Sequence, residues 1–368
     1  MLSRFSVTNY MGFPEKITWD LSQPHEYAFN TNLIHNGIVK NGIIYGVNGS
    51  GKTSLGRALF DIVSLVNNVN PTDYSKVIYQ GAADSPIEFE YCFIFEGGKK
   101  IEYSYSKNVQ GLIIKEALYY QGQKIFTKDI NDVYFCNEFS VNPAMRRKLA
   151  ENANAVSLLK FIFSSYPLSK NHYIQQLIDF IGSMLWFRCL DERNYIGIDT
   201  GRVYIEDYII KHGYLDEFAK FLKEESGQVF DFTPTQNEDK VITCKVNNNE
   251  VPFLSIISTG TTSLELLFYW TKRMKEASVK FVFIDEFDAF YHFDLSINVC
   301  KTLFKEDFQV FMSSHNTMLL SNDFIRPDCG FIIGNNKIDA ICNLTSRGEL
   351  RQGHNIEKMY RAGSFDIK

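Results

Sequence analysis

The residues with the clearest chemical capacity are Gly46 to Thr53, GVNGSGKT, which match GxxxxGK[ST] at every constrained position. Small residues let successive backbone N–H groups turn inward around phosphate oxygens, and a helix that starts at once adds its positive end. In that pattern Lys52 reaches the β- and γ-phosphates of a nucleotide and the Thr53 hydroxyl ligates Mg2+. The plain alternative is a glycine-rich turn before a helix. An apolar strand pattern just upstream and a helical pattern just downstream favour phosphate binding.

A second constellation is FVFIDEFDAFYH, Phe281 to His292. Four apolar residues deliver Asp285 at the carboxyl end of a strand, where its carboxylate can hold Mg2+ through water. Glu286 follows immediately. Adjacent strand residues face opposite ways, so Glu286 takes a different task, the polarisation of an attacking water. Acids also end apolar strands because loops are solvated, and here the phosphate loop upstream favours the metal reading. His315 ends the apolar FMSSHNT strand, placed to donate to a γ-phosphate or to orient the water. In ISTGTTSLELL, Ile257 to Leu267, the residues Ser258, Gly260 and Thr261 precede an amphipathic helix. They make either a helix cap or a further anion-binding end.

The elements that must position these groups follow from periodicity. RFSVTNYMGF and KITWDLS alternate as two antiparallel strands, and GIVKNGIIYG gives a short apolar strand ending at Gly46. From Ser54 to Val69 the apolar positions recur at helical spacing. Ile87 to Thr127 reads as an antiparallel sheet with EGGKK and YQGQK as hairpin turns. From Met145 to about Leu222 the pattern is mainly helical, including YIQQLIDFIGSMLWF, with no sustained heptads and hence no long coiled-coil arm. KVITCKVNNNEVPFL reads as a hairpin around Asn247 to Asn249, and TTSLELLFYWTKRM returns to helix. VKFVFIDEF, FQVFMSSH and CGFIIGN are continuous apolar runs, as in parallel strands covered on both faces.

The 368 residues, 45% hydrophobic and 22% charged, are those of a folded protein with a sizeable core. A net charge of −5 offers no global electrostatic footprint for nucleic acid. Seven scattered cysteines without a CxxC pair read as reduced thiols, mostly buried. No signal-peptide pattern and no run of about 18 apolar residues is present, which predicts a cytoplasmic protein with no membrane partner.

The order of these motifs resembles the ABC-type ATPase heads of the RecF, SMC and OLD group. It is similar, more narrowly, to AAA-type ATP-binding proteins of the abortive-infection kind, whose signature reads Ser-x-Gly-Thr and whose C-termini are like LRQGHNIEKMYRAGSF. The resemblance implies an α/β P-loop NTPase fold, an ABC-ATPase head with an antiparallel β subdomain and a helical insertion lobe. The expected division is 1–140 with 240–368 as the ATPase core, 84–128 within it as the β subdomain, and 141–239 as the helical lobe. Under the resemblance, Gly46, Asn48, Gly49, Ser50, Gly51, Lys52, Thr53 and Ser54 correspond to Walker A. Asp285 and Glu286 correspond to Walker B with the hydrolytic glutamate, and His315 to the switch histidine. Ser258, Gly260 and Thr261 match the signature, acting in trans, and Asp288 falls at the D-loop. Asn137 is the Q-loop candidate, with Gln80 as its alternative. The implied cofactors are ATP and Mg2+, each ATP sandwiched between two subunits of a homodimer or higher homo-oligomer.

Three outputs compete. The first is an anti-phage defence ATPase that controls a separate protein effector, such as a nuclease or toxin. The second is a RecF-like or SMC-like DNA-repair ATPase, with Arg146, Arg147 and Lys148 on duplex DNA phosphates. The acidic total and the missing coiled coil stand against it. The third, a nuclease within the chain, is disfavoured because about fifty residues after the Ser-His strand are few for another domain.

Overall fold

The computed structural model describes residues 1–66, 73–129, 132–151, 157–188, 194–196, 205–234, 241–247, 249–289, 291–345, 348–365 and 367. The chain opens with β1 (Leu2–Thr8) and β2 (Ile17–Asp20), antiparallel as their alternation predicts. A clasp of β3 (Ile34–His35) and β4 (Ile38–Val39) leads to β5 (Asn41–Tyr45), buried along its whole length. After the glycine loop come α1 (Lys52–Leu59), α2 (Asp61–Val66) and α3 (Tyr74–Val77). The helix thus begins ahead of the expected Ser54, and it breaks at Phe60; the expected end at Val69 lies outside the described residues. Asp61, the first residue of α2, is anchored sideways. Its carboxylate accepts from Tyr74 Oη at 2.5 Å and from Tyr105 Oη and Lys107 Nζ at 2.7 Å each.

Next is a meander of β6 (Ile87–Phe95), β7 (Lys99–Lys107), β8 (Ile113–Tyr120), β9 (Gln123–Asp129) and β10 (Asp132–Phe135). Its first and third turns, β6–β7 and β8–β9, fall at EGGKK and YQGQK. Because β1 and β2 join it, the sheet has seven strands in the order β10-β9-β8-β7-β6-β1-β2 and reaches well beyond 84–128.

Helices α4 (Pro143–Glu151), α5 (Leu158–Ser165) and α6 (Tyr173–Gly182) follow, and then β11 (Met184–Arg188) and β12 (Asn194–Ile196). Here the helical reading of YIQQLIDFIGSMLWF is corrected. Met184 to Phe187 form a strand parallel to the Phe281–Asp285 segment and are buried on both faces. A short apolar run buried all round carries no period with which to tell helix from strand. The expected helical lobe 141–239 therefore contributes two strands, β11 and β12, to the central sheet.

The remaining elements are α7 (Ile205–Lys211), α8 (Leu215–Ser226), β13 (Phe232–Pro234), β14 (Ile242–Val246), β15 (Asn249–Pro252) and α9 (Thr259–Glu276). They are followed by β16 (Phe281–Asp285), α10 (Phe293–Leu303), β17 (Gln309–Ser314), β18 (Gly330–Gly334), β19 (Lys337–Ala340) and α11 (Ile356–Arg361). β14 and β15 make the hairpin read in KVITCKVNNNEVPFL; Asn248 lies outside the described residues.

The central sheet runs β12-β11-β16-β17-β5-β18-β19, with β11, β16, β17, β5 and β18 mutually parallel and the two edges antiparallel. Trp19 of β2 locks the two sheets together, its indole meeting Phe311, Phe331 and Phe283 edge-on at centroid distances of 4.6, 5.7 and 6.5 Å. The buried Gln309 side chain clips β1 to β17, accepting from Leu2 N (2.7 Å) and donating to Leu2 O (2.9 Å) and Val39 O (3.1 Å). α1 packs closely on the sheet, since a Cβ at Gly56 would come 2.8 Å from the Phe283 ring. Six of the seven cysteines are free thiols; Cys189 lies outside the described residues. No helix among the described residues is long and apolar enough to cross a membrane.

Candidate nucleotide-binding site

The register of the parallel strands gathers the chemistry at one edge. β17 lies between β16 and β5, and Ser314 pairs with Tyr45, one residue before the glycine loop. The loop, Asp285, Glu286 and His315 therefore all leave the carboxyl ends of neighbouring strands, where ligands of open α/β sheets bind.

A cleft of about 800 Å³ opens there, lined by residues 47–54, by Glu286 and His315, and by Gly12–Phe13 and Gly334–Asn336. Two glycines have specific reasons. A Cβ at Gly46 would lie 2.7 Å from the Ile333 carbonyl oxygen and against Ser50 Oγ, and Gly51 has φ +106 with the Phe13 ring 2.7 Å from where a Cβ would sit. Leu55 N donates to Gly51 O at 2.8 Å, so α1 starts directly from the turn.

Lys52 is buried, its Nζ donating to Gly46 O (2.8 Å) and Val47 O (3.3 Å) and lying 3.5 Å from His315 Nδ1. Burial pushes its pKa below the usual lysine value, opposed by Glu286, Asp285 and Asp288. Ser50 Oγ is buried with no hydrogen-bond partner. The loop thus holds a cation resting on carbonyls and an unsatisfied hydroxyl, both able to turn to phosphate oxygens.

Asp285 is buried at the end of β16 and accepts from Ser313 Oγ at 2.5 Å. Glu286 has left the strand with φ +50, lines the cleft, and places Oε1 3.5 Å from His315 Nε2. The two acids thus have separate environments, one tied inward and one facing the cavity. Of the two residues expected at Mg2+, Thr53 lines the cleft and Asp285 does not. Among the described residues no three His, Cys, Asp or Glu side chains converge as a metal cage.

Three other sequence expectations fall away from this cleft. Ser258 caps α9, its Oγ accepting from Thr261 N at 3.3 Å, while Gly260 is half-buried and Thr261 is buried with its hydroxyl on Gln228 Oε1 (3.1 Å). None of the three lines the chain's own cleft. Asp288 lies just behind it, accepting from Ser314 Oγ at 2.8 Å, and burial raises its pKa. Asn137 is exposed beyond β10, the edge strand of the antiparallel sheet; Gln80 donates to Ser75 O and Ile78 O. Neither lines the cleft.

Sequence reasoning missed Gly12, Phe13 and the Gly334–Asn336 turn. The second carried a signal, since paired asparagines between apolar runs mark a tight hairpin, and both Asn335 (φ 48) and Asn336 (φ 59) are left-handed. Gly12 and Phe13 carried none, because only the docking of β1 and β2 on the central sheet brings them here.

Phosphate loop, carboxyl-edge acids and parallel order together define a P-loop nucleotide-binding α/β fold. No protein-family model and no curated protein sequence matches the chain. Among solved structures it is similar to an SMC head domain from Thermotoga maritima, with TM-score 0.43 and 13% identity over 92% of this chain and 97% of that one. It is also similar to an Smc head domain with an extended coiled coil bound to the C-terminal domain of ScpA, derived from Pyrococcus furiosus (TM-score 0.46, 10% identity, 92% and 95% covered). A third is the recombination mediator protein RecF with ATPrS, of the RecFOR pathway (TM-score 0.42, 15% identity, 93% and 98% covered).

Proposed function

We propose that the chain is an ABC-type ATPase that binds ATP with Mg2+, pairs with a second copy around it, and hydrolyses it. One observation carries the first part: Lys52, Glu286 and His315, from three separate segments, line a single cleft with the glycine loop. Glu286 takes the proton of the attacking water, held there by its proximity to His315. Lys52 swings from the Gly46 and Val47 carbonyls to the transferred phosphoryl group, which His315 also meets. Thr53 and Asp285 would hold Mg2+, which when bound would supply neutralisation of the phosphate charge. A neighbouring copy's Ser258, at the exposed start of α9, completes the site. Its support is the match of Ser258, Gly260 and Thr261 to the family signature, together with their distance from the chain's own cleft.

The output is control of a separate protein effector in anti-phage defence, supported by the Ser-x-Gly-Thr signature and the C-terminal segment. For the DNA-repair alternative, Arg147 and Lys148 are exposed on α4, but Arg146 is half-buried with Nε on the Val141 carbonyl at 3.0 Å.

The test is Mg2+-dependent ATP hydrolysis. Glu286→Gln should lower kcat by about 10²–10⁴-fold and accumulate an ATP-bound dimer in light scattering. An unchanged rate refutes the general base, and absence of nucleotide binding by the wild-type chain refutes the reading.

A further inference from the structure

β17 ends in two serines, Ser313 and Ser314, both fully buried, and neither lines the cleft. Their hydroxyls nevertheless terminate on the residues that do the proposed chemistry or stand beside them. Ser313 Oγ donates to Asp285 Oδ1 (2.5 Å) and accepts the Glu286 N–H (2.8 Å). A serine has a single O–H, so giving it to Asp285 leaves a lone pair for the Glu286 amide, and both neighbours are satisfied at once. Phe287 N adds a bond to Ser313 O at 3.3 Å. Between these contacts sits Glu286 at φ +50, a conformation unfavourable for a residue with a Cβ and kept only where the surroundings over-determine it.

Ser314 repeats the arrangement one step on. Its Oγ donates to Asp288 Oδ2 (2.8 Å) and accepts from Asn316 N (2.8 Å), so one hydroxyl joins Asp288 to the backbone on both sides of His315.

We propose that Ser313 and Ser314 are positioning residues for catalysis: Ser313 holds the left-handed turn that aims Glu286 into the cleft, and Ser314 couples the Asp288 segment to His315. The proposal rests on the hydrolase reading and deepens it. Removing Ser313 Oγ leaves the Asp285 oxygen and the Glu286 amide without partners, and Glu286 relaxes from its strained geometry. A carboxylate displaced by about 1 Å loses about 100-fold in rate, whereas the loop that binds the nucleotide is untouched.

Steady-state kinetics and calorimetry with a non-hydrolysable ATP analogue test this. Ser313→Ala should lower kcat about 10–100-fold while the nucleotide Kd stays within about threefold, and Ser313→Thr, which keeps the hydroxyl, should recover most of the loss. For Ser314→Ala and Asp288→Ala the losses in kcat should be non-additive, the double variant resembling the worse single one. If threonine does not fit the buried site, amide exchange decides: the 285–288 segment should exchange faster in Ser313→Ala while β5 is unchanged. Normal binding with a Ser313→Ala kcat within about twofold of wild type overturns the positioning role alone, as do additive Ser314 and Asp288 losses. A wild-type chain that binds no ATP overturns the hydrolase reading and this role with it.

Discussion

Replacing Gly51 by alanine tests whether the shape of the phosphate loop makes the binding site. Gly51 sits at φ +106, and the added Cβ would lie 2.7 Å from two ring carbons of Phe13. Left-handed geometry costs a residue with a Cβ about 1–2 kcal/mol. Forcing a methyl group against a packed ring adds about 1–3 kcal/mol. Phe13 is only 2% exposed, so its ring has little room to retreat. The loop's remaining escape is to relax out of its binding shape, and the strain then reappears as lost affinity of about 2–5 kcal/mol, or about 30-fold to a few thousandfold in nucleotide Kd. Calorimetric titration with a non-hydrolysable ATP analogue reads that loss, and Tm reports any part absorbed by the fold. The two components separate in a Phe13→Ala background, where the steric component is gone and the Gly51→Ala penalty should shrink by about tenfold. Gly49→Ala is the control. Gly49 has φ +77 but nothing within 4 Å of its would-be Cβ, so only the backbone penalty applies, about 5–30-fold. Wild-type affinity and Tm for Gly51→Ala, or an undiminished penalty without Phe13, would refute the reasoning.

Three further outcomes are expected. Mixing Lys52→Ala with Ser258→Arg, each inactive alone, should restore about a quarter of the wild-type hydrolysis, because half the pairs are mixed and each has one intact composite site; no recovery would show that Ser258 does not act across subunits. Asp61→Ala strands buried Lys107 without its 2.7 Å partner and should lower stability by about 3–5 kcal/mol in urea unfolding, with part regained in Asp61→Ala/Lys107→Met; a loss below about 1 kcal/mol would contradict the ion pair's role. Burial pushes Glu206 from its ordinary 4.5 up to about 7, so the folded chain keeps a proton that the unfolded chain releases. Stability should therefore fall as pH rises from 4.5 towards about 7. Glu206→Gln should flatten that limb of the Tm profile, and parallel profiles would discount the burial effect.

Much of this site was legible in sequence because its parts are local. The phosphate loop is a contiguous stretch between two periodic elements, and Asp285 and His315 each end a continuous apolar run whose edge is fixed by composition. β11 was not legible. Met184 to Phe187 are buried on both faces, so their hydrophobicity carries no period and the preceding helix absorbs them in any pattern reading. Asn137, the Q-loop candidate under the family resemblance, is left exposed beyond an edge strand by the sheet order.

By itself the sequence determined which chemical groups exist and which strand or turn carries each, since backbone conformation and burial period are set within a few residues. Tertiary structure alone decided which of those groups meet. The parallel register of β16, β17 and β5 puts Ser313 against Asp285 and His315 beside Lys52, and the docking of β2 through Trp19 brings Phe13 under Gly51. Those contacts join residues tens to hundreds of positions apart. They depend on side-chain packing between sheets, and no local propensity encodes it.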